Sequence, residues 1–233
     1  MNAHETDHWW FVARRKIITS LIDRHIATPA GSTILEAGCG TGGNLAMLAR
    51  YGAVDALEYD EEAATLSQAR GIAHVERGAL PDAIGFQDKA YDMIVLLDVL
   101  EHVDADIASL AALGRRLKPN SKILLTVPAV PWLWSDHDAM HHHKRRYTFD
   151  SLRRTVEAAG LKLEVAGYFN SLLFPLAVIQ RAAHHVFKSD RALDARPSAP
   201  VNWLLRSIFA AERYLLHRIR FPIGLSLYAV IRA

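Results

Sequence analysis

Short apolar runs alternate along the middle of the chain with stretches whose apolar residues recur every three or four positions, the pattern of strand and helix units laid on a parallel sheet. The first helical stretch spans about 9–26. Strands are expected near 33–36, 54–58, 73–76, 93–97, 122–127 and 163–167, with helices over 43–51, 61–69, 104–117 and 149–159. Pro119-Asn120 reads as the turn that leads into the fifth strand. Two further apolar helical stretches, 172–186 and 201–219, flank a linker at 188–200 that carries Pro197 and Pro200. The short, β-prone 225–231 reads as a final strand. One α/β domain with a helical insertion at 171–221 is therefore expected.

Composition narrows this without changing it. With 51% hydrophobic residues, 233 residues can bury a sizeable core. Cys39 is the single cysteine, so no internal disulfide can form; with no basic-then-apolar leader before Trp9, the expected location is the cytoplasm. No run approaches the roughly 20 uninterrupted apolar residues of a membrane-spanning helix. The net charge of +2 is too small to suggest nucleic acid, but it is unevenly placed. From Arg181 onward nine Lys and Arg face three acids, whereas eighteen face twenty-two before it. A basic tail on an acidic body suggests a surface task for the tail.

Candidate chemistry begins where the first strand ends, at Glu36-Ala37-Gly38-Cys39-Gly40-Thr41-Gly42. Glycines at alternate positions suit a backbone that leaves a strand, turns sharply and starts a helix while touching a ligand. A carboxylate at Glu36 would be repelled by a pyrophosphate and attracted by an ammonium or sulfonium. Glu58 ends the second strand twenty residues beyond Gly38, where an acid can accept both hydroxyls of a ribose. A cationic, ribose-bearing ligand satisfies both.

From about residue 33 to 160 the chain resembles the class I, Rossmann-like methyltransferases that use S-adenosylmethionine. The resemblance rests on the glycine turn, on Ala56-Leu57-Glu58-Tyr59-Asp60, and on Tyr91-Asp92-Met93-Ile94-Val95 leading into Asp98-Val99-Leu100-Glu101-His102-Val103; Leu117-Lys118-Pro119 and Ile123-Leu124-Leu125-Thr126-Val127-Pro128 complete it. It implies an α/β fold: a seven-stranded mixed sheet, its last strand antiparallel, with helices on both faces and the insertion before the last strand. It also implies a single methyltransferase domain: a lid helix at 1–30, a cofactor core at 31–170, the insertion, and the final strand at 222–233. By that similarity Glu36, Gly38, Cys39 and Gly40 hold the methionine portion, Glu58 the ribose, and Tyr59 with Gly78, Ala79 and Leu80 the adenine, while Asp98 lies near the transferred methyl. Many relatives carry an acid where Ala79 stands, so a backbone group or water would have to replace it.

After the fifth strand comes an aromatic loop with Trp132 and Trp134, then His137-Asp138, then His143-Lys144-Arg145-Arg146-Tyr147, similar to a subgroup of the same family. His143, His137 and Tyr147 are the catalytic candidates, with His143 as general base because an imidazole ordinarily titrates near pH 6.5; His143 and Tyr147 capping and packing the next helix is the other reading. Metal binding by the adjacent His141, His142 and His143 is not expected, since neighbours rarely converge on one ion. His8-Trp9-Trp10-Phe11 with Arg14 and Arg15 reads as a lid over the cofactor or as a helix packed on the sheet edge.

The implied activity is methyl transfer from S-adenosyl-L-methionine, leaving S-adenosylhomocysteine, to a small, possibly hydrophobic or lipid-like acceptor. The fourth strand ends in Leu97-Asp98-Val99-Leu100, without the Asn/Asp-Pro-Pro-aromatic signature for a flipped base, so nucleic acid is not expected. The insertion, with apolar residues set among Arg206, Arg213, Arg218 and Arg220, could touch the inner face of a membrane, cover substrate, form a dimer contact or pack on the core. A non-catalytic cofactor-binding sensor and an NAD-dependent oxidoreductase are the rival classes; Glu36 argues against the second.

Overall fold

The computed structural model describes residues 5–87, 89–187 and 197–233, with the side chains of 137 and 182–187 outside that set. Seven strands form one sheet: β1 (Thr33–Ala37), β2 (Ala53–Glu58), β3 (His74–Arg77), β4 (Tyr91–Leu97), β5 (Leu117–Pro128), β6 (Lys162–Phe169) and β7 (Ser226–Arg232), in the order β3-β2-β1-β4-β5-β7-β6. β7 is antiparallel to both neighbours, β5 and β6, and the other pairings are parallel. The expected mixed sheet with an antiparallel last strand is present.

Alternation along the strands explains why they read as unbroken apolar runs. Ile34, Met93, Val95, Leu124 and Val230 face one core, which is closed by helices α1 (Trp9–His25), α2 (Leu45–Leu48) and α8 (Ala199–Leu215). Leu35, Ile94, Leu96, Ile123, Leu125 and Ile231 face the other, closed by α4 (Asp106–Gly114) and α6 (Phe149–Ala158). A sheet covered on both faces needs apolar residues at successive positions, not at alternate ones. The remaining helices are α3 (Glu61–Gln68), α5 (Asp136–Met140) and α7 (Phe174–Phe187).

Three local readings change. Regular helix after the glycine turn is confined to α2; beyond it Arg50 and Tyr51 donate to the carbonyls only three residues back, Met47 and Leu48, which tightens and ends the turn. Pro119-Asn120 lies inside the span of β5 as an excursion: the register passes from Tyr91 opposite Leu117 to Met93 opposite Lys122, and Asn120 takes φ 65°. The helical insertion is present as α7 and α8, although its expected linker falls outside the described residues up to 196.

α8 is not a free flap. Phe209 is fully buried and stacks on Phe169 at 6.3 Å, and Trp9 of α1 meets it edge-on at 6.0 Å. Glu212, also buried, accepts the amides of Ser171 and Leu172 at 2.7 Å each, tying α8 to the entry of the insertion. Its outward side keeps Val201, Trp203 and Leu204 exposed.

Candidate active site

The chain order reverses between β1 and β4, whose carboxyl ends open a crevice at a topological switch point. A cavity of about 1940 Å³ lies there, walled by the β1 and β4 loops, the first turns of α1, the loop after β5 and part of α7. Gly38, Gly40 and Gly42 all take positive φ, at 84°, 55° and 82°. A Cβ on Gly38 would stand 2.5 Å from the Val99 side chain, so this turn packs β1 against the β4 loop. A Cβ on Gly40 would meet nothing within 4 Å, leaving that backbone open to a ligand.

Glu58 is where local chemistry fixes a functional side chain. Its Oε2 accepts the Gly40 amide at 2.7 Å, and its Oε1 accepts the amides of Tyr59 and Asp60 at 2.9 and 3.0 Å. The carboxylate ties the β1 and β2 loops together, and Oε2, with one amide bond, retains acceptor capacity for a hydroxyl. Beside it Tyr59 is 74% exposed, free to lie against a flat base. Gly78, Ala79 and Leu80 line the same end. Ala79 exchanges both backbone bonds with Ala83, so the unbonded Leu80 amide is the group left to meet an adenine edge.

Glu36 lies behind the wall, not on it. It is fully buried; Oε1 accepts from Asn44 Nδ2 at 2.9 Å, Asn44 lines the cavity, and Oε2 has no partner. Burial pushes its carboxyl up to about 7, the Asn44 bond and the Arg14 charge opposing, with Glu58 and Glu5 adding to the rise. Arg14, equally buried, pairs with Asp98 at 2.7 Å and donates to Thr126 at 3.0 Å, but its Nε is unpartnered. One orphaned acceptor and one orphaned donor match the ammonium and carboxylate of an amino-acid ligand. Asp98, at φ 59°, is thus held by Arg14 and Thr126 at the end of β4. The Cys39 thiol is buried and pushed up to about 12, which leaves it inert.

The other half of the cavity is organised by Asp138, which has no exposed surface. Arg146 grips it with Nε to Oδ1 at 2.7 Å and Nη2 to Oδ2 at 3.0 Å, and Ser135 donates its amide at 2.9 Å. His143 Nδ1 lies 2.9 Å from Oδ1. Burial would raise the Asp138 carboxyl, but the bonds from His143, Arg146 and Ser135 outweigh it and hold it well below the usual range. An ionised carboxylate only accepts, so Nδ1 carries the hydrogen, and in the neutral imidazole the lone pair is on Nε2. Arg181 of α7, 3.7 Å from Asp138, donates to the Leu133 carbonyl. It is a cavity residue that sequence reasoning missed, because only folding brings it to the β5 loop.

Of the catalytic candidates, the structure brings His143 to the cavity wall and does not bring Tyr147. Tyr147 is buried and donates to Asp106 at 2.9 Å; burial and the Asp106 charge push its hydroxyl far above its ordinary range. Arg145 binds the same Asp106 at 2.8 Å, so alternate residues of this run face opposite ways. The side chain of His137 lies outside the described residues. The aromatic start of α1 does line the cavity, with Trp10 under the Arg14 guanidinium at 5.0 Å, while Ala13, Ile17 and Leu21 pack on the sheet.

Among the described residues one set could hold a divalent ion: Glu101, His102 and His143, whose ligand atoms lie within 4.8 Å of one another. This is not the adjacent triplet considered from sequence. Glu101 is buried with neither oxygen bonded, and burial, then the nearby Asp98 charge, hold its carboxyl well above the ordinary range. His102 meets the His143 ring edge-on at 4.7 Å and is pushed down by burial and then by His143.

A family model described as a methyltransferase domain matches residues 10–165. The chain belongs to this methyltransferase family. A ubiquinone biosynthesis O-methyltransferase of Acinetobacter baylyi is 30% identical over 113 residues, 45% of this chain and 47% of that protein, so the chain spans about half the length of the curated relatives it matches. A Haloferax volcanii protein solved with the Trm112 methyltransferase activator superposes with TM-score 0.63 at 18% identity, covering 100% of this chain and 92% of its own. An S-adenosylmethionine-dependent methyltransferase of Mesorhizobium loti gives 0.61 at 15% identity, covering 96% and 97%. The residues present would suit S-adenosyl-L-methionine: the unbonded Glu36 and Arg14 atoms its amino-acid end, Glu58 its ribose, and Tyr59 its base.

Proposed function

We propose that this methyltransferase transfers a methyl group from S-adenosyl-L-methionine to a hydroxyl of a small, largely apolar acceptor. His143 is the general base and Asp138 its positioning partner. The observation that carries the reading is the 2.9 Å bond between His143 Nδ1, on the wall of the cofactor cavity, and the fully buried, Arg-gripped Asp138 behind it. S-adenosylmethionine, when bound, supplies an electrophilic methyl on a sulfonium. With that methyl supplied by the bound cofactor, His143 Nε2 would take the proton that the acceptor hydroxyl gives up as its oxygen is methylated. Trp10, Trp134 and Phe11 line the space and exclude water. They favour an acceptor with a flat or greasy body, consistent with the O-methyltransferase that the chain resembles over part of its length. His137 remains a second candidate contact. The His-Asp and His-x-Arg-Arg-Tyr runs are read as one device, in which Arg146 and Tyr147 shape the loop and His143 acts.

A second reading has one observation in its favour. The unpartnered Glu101 carboxylate beside His102 and His143 suits a divalent cation that would polarise the acceptor hydroxyl in place of a base. Exhaustive chelation separates the two: loss of turnover restored by a divalent ion supports the cation, and unchanged turnover supports His143 acting alone.

The test of the proposal is transfer of labelled methyl from the cofactor to panels of hydroxylated aromatics, amines and carboxylic acids. Labelling of the hydroxyl panel is expected. Cofactor binding with no labelled acceptor in any panel would favour a non-catalytic sensor instead. Exposed Val201, Trp203 and Leu204 on α8 and Leu176 and Ile179 on α7 fit a peripheral contact with an apolar surface. No described helix is long and apolar enough to cross a membrane.

A further inference from the structure

A second cavity, about 750 Å³, runs along the outer side of α1 between α2 and α8. Its charged lining is one-sided. Arg15, Lys16 and Arg24 come from α1, Arg50 follows α2, and Arg213 and His217 come from the end of α8. Asp23 is the only acid on these walls, and its Oδ1 already accepts the Tyr51 hydroxyl at 2.7 Å. Arg15 is committed to the carbonyls of Glu5 and Gly43, and Arg213 lies over the Tyr214 ring at 4.5 Å. Lys16, Arg24 and Arg50 form no ion pair among the described residues.

The floor of this groove holds an incomplete polar site. His217 Nε2 sits 2.7 Å from Ser20 Oγ, whereas its Nδ1 is buried without a partner. Burial, then the Arg24 charge, hold the imidazole below its ordinary range. His25 nearby is held down by burial, then by Arg24, Lys122 and His217. Both histidines are held down first by burial and then by the Arg24 charge, with Glu164 opposing at His25. A buried polar atom left without a bond is costly, and a multivalent oxyanion that draws a proton onto the imidazole would supply both an acceptor for Nδ1–H and the missing charge.

We propose that this groove is a binding site for a phosphate-bearing ligand, separate from the cofactor cavity. Three free cations within one concave site suit a phosphate or pyrophosphate group, whose oxygens can be shared among several donors. Arg213 of the basic C-terminal segment, with His217, completes a site begun on α1 and α2. The same headgroup chemistry could arrive on a soluble molecule or on a lipid at a surface.

The test follows His217 by proton NMR during pH titration, its signal identified by its loss in His217→Gln. Millimolar pyrophosphate is expected to raise its midpoint by about one unit, as a facing anion stabilises the imidazolium. The triple variant Lys16→Glu, Arg24→Glu, Arg50→Glu should abolish the shift and leave S-adenosylhomocysteine affinity unchanged; Arg15 is spared because it lines both cavities. If the triple variant does not fold, Arg24→Gln alone should reduce the shift. Sedimentation with phosphatidylglycerol vesicles that pyrophosphate reverses would assign the ligand to a lipid headgroup. A pyrophosphate shift without sedimentation would assign it to a soluble phosphate. A His217 midpoint moved by neither pyrophosphate nor vesicles, or moved equally in the folded charge variants, overturns the proposal.

Discussion

The two halves of the cavity are built in opposite ways. On the cofactor side, loops at the ends of adjacent parallel strands are tied by short-range bonds: Glu58 reaches Gly40 on the next strand's turn and the amides of its own two successors. On the acceptor side, one buried carboxylate, Asp138, gathers Ser135, His143 and Arg146 of its own loop and Arg181 of α7. The first half is backbone held in place by topology. The second is a network of side chains around one buried charge, so a single substitution should affect the two halves very differently.

The largest break is therefore expected at Asp138. Asp138→Ala leaves Arg146 and Arg181 without their buried partner, and should lower unfolding stability by about 3–5 kcal/mol in denaturant titration. The circular dichroism of the remaining fold should persist at low temperature. A loss below about 1 kcal/mol would mean that water reaches the site and the network is not the organiser described.

Next come the glycines, which sharpen the contrast within the cofactor half. Gly38→Ala meets both φ 84° and a Val99 methyl at 2.5 Å, and should cost about 1–3 kcal/mol of stability together with cofactor affinity. Gly40→Ala faces open space, so its thermal midpoint should fall less while calorimetric affinity for S-adenosylhomocysteine falls as much. Equal loss of stability in both would contradict the assignment of Gly40 to the ligand.

A smaller effect is expected from pH. Glu36 titrates near 7 in the free protein against an ordinary 4.5, so the folded state holds a proton that the unfolded state has released. This contribution to stability is present at low pH and is lost as pH rises from about 4.5 through about 7. A ligand ammonium beside Glu36 favours the ionised form, so S-adenosylhomocysteine should bind more tightly as pH rises through 7, then level off. In Glu36→Gln that slope should vanish. The smallest change is expected from Trp134→Ala on the acceptor wall: a KM for apolar acceptors raised about tenfold, with cofactor affinity untouched.

The same contrast explains what was legible in the sequence. Strands covered on both faces carry continuous apolar runs, and the glycine turn and Glu58 are local signals at fixed spacing, so the sheet and the cofactor end can be read directly. Asn44 under Glu36, Arg181 under Asp138, and Glu101 beside His143 depend on contacts between distant segments, and no periodicity announces them. Tyr147 shows the limit of reading a motif as a unit. It follows His143 by four residues, yet it turns inward to Asp106 while His143 turns to the cavity. The Pro119-Asn120 excursion was visible as a turn, but not as one that pairing resumes beyond.

The account stands most directly on His143→Gln, assayed for S-adenosylhomocysteine affinity and for kcat on the best hydroxyl acceptor. Affinity equal to that of the unmodified protein, with kcat reduced roughly 10²–10⁴-fold, is the predicted result, since a positioned base is lost while the cofactor half is untouched. Turnover undiminished in that variant would contradict it.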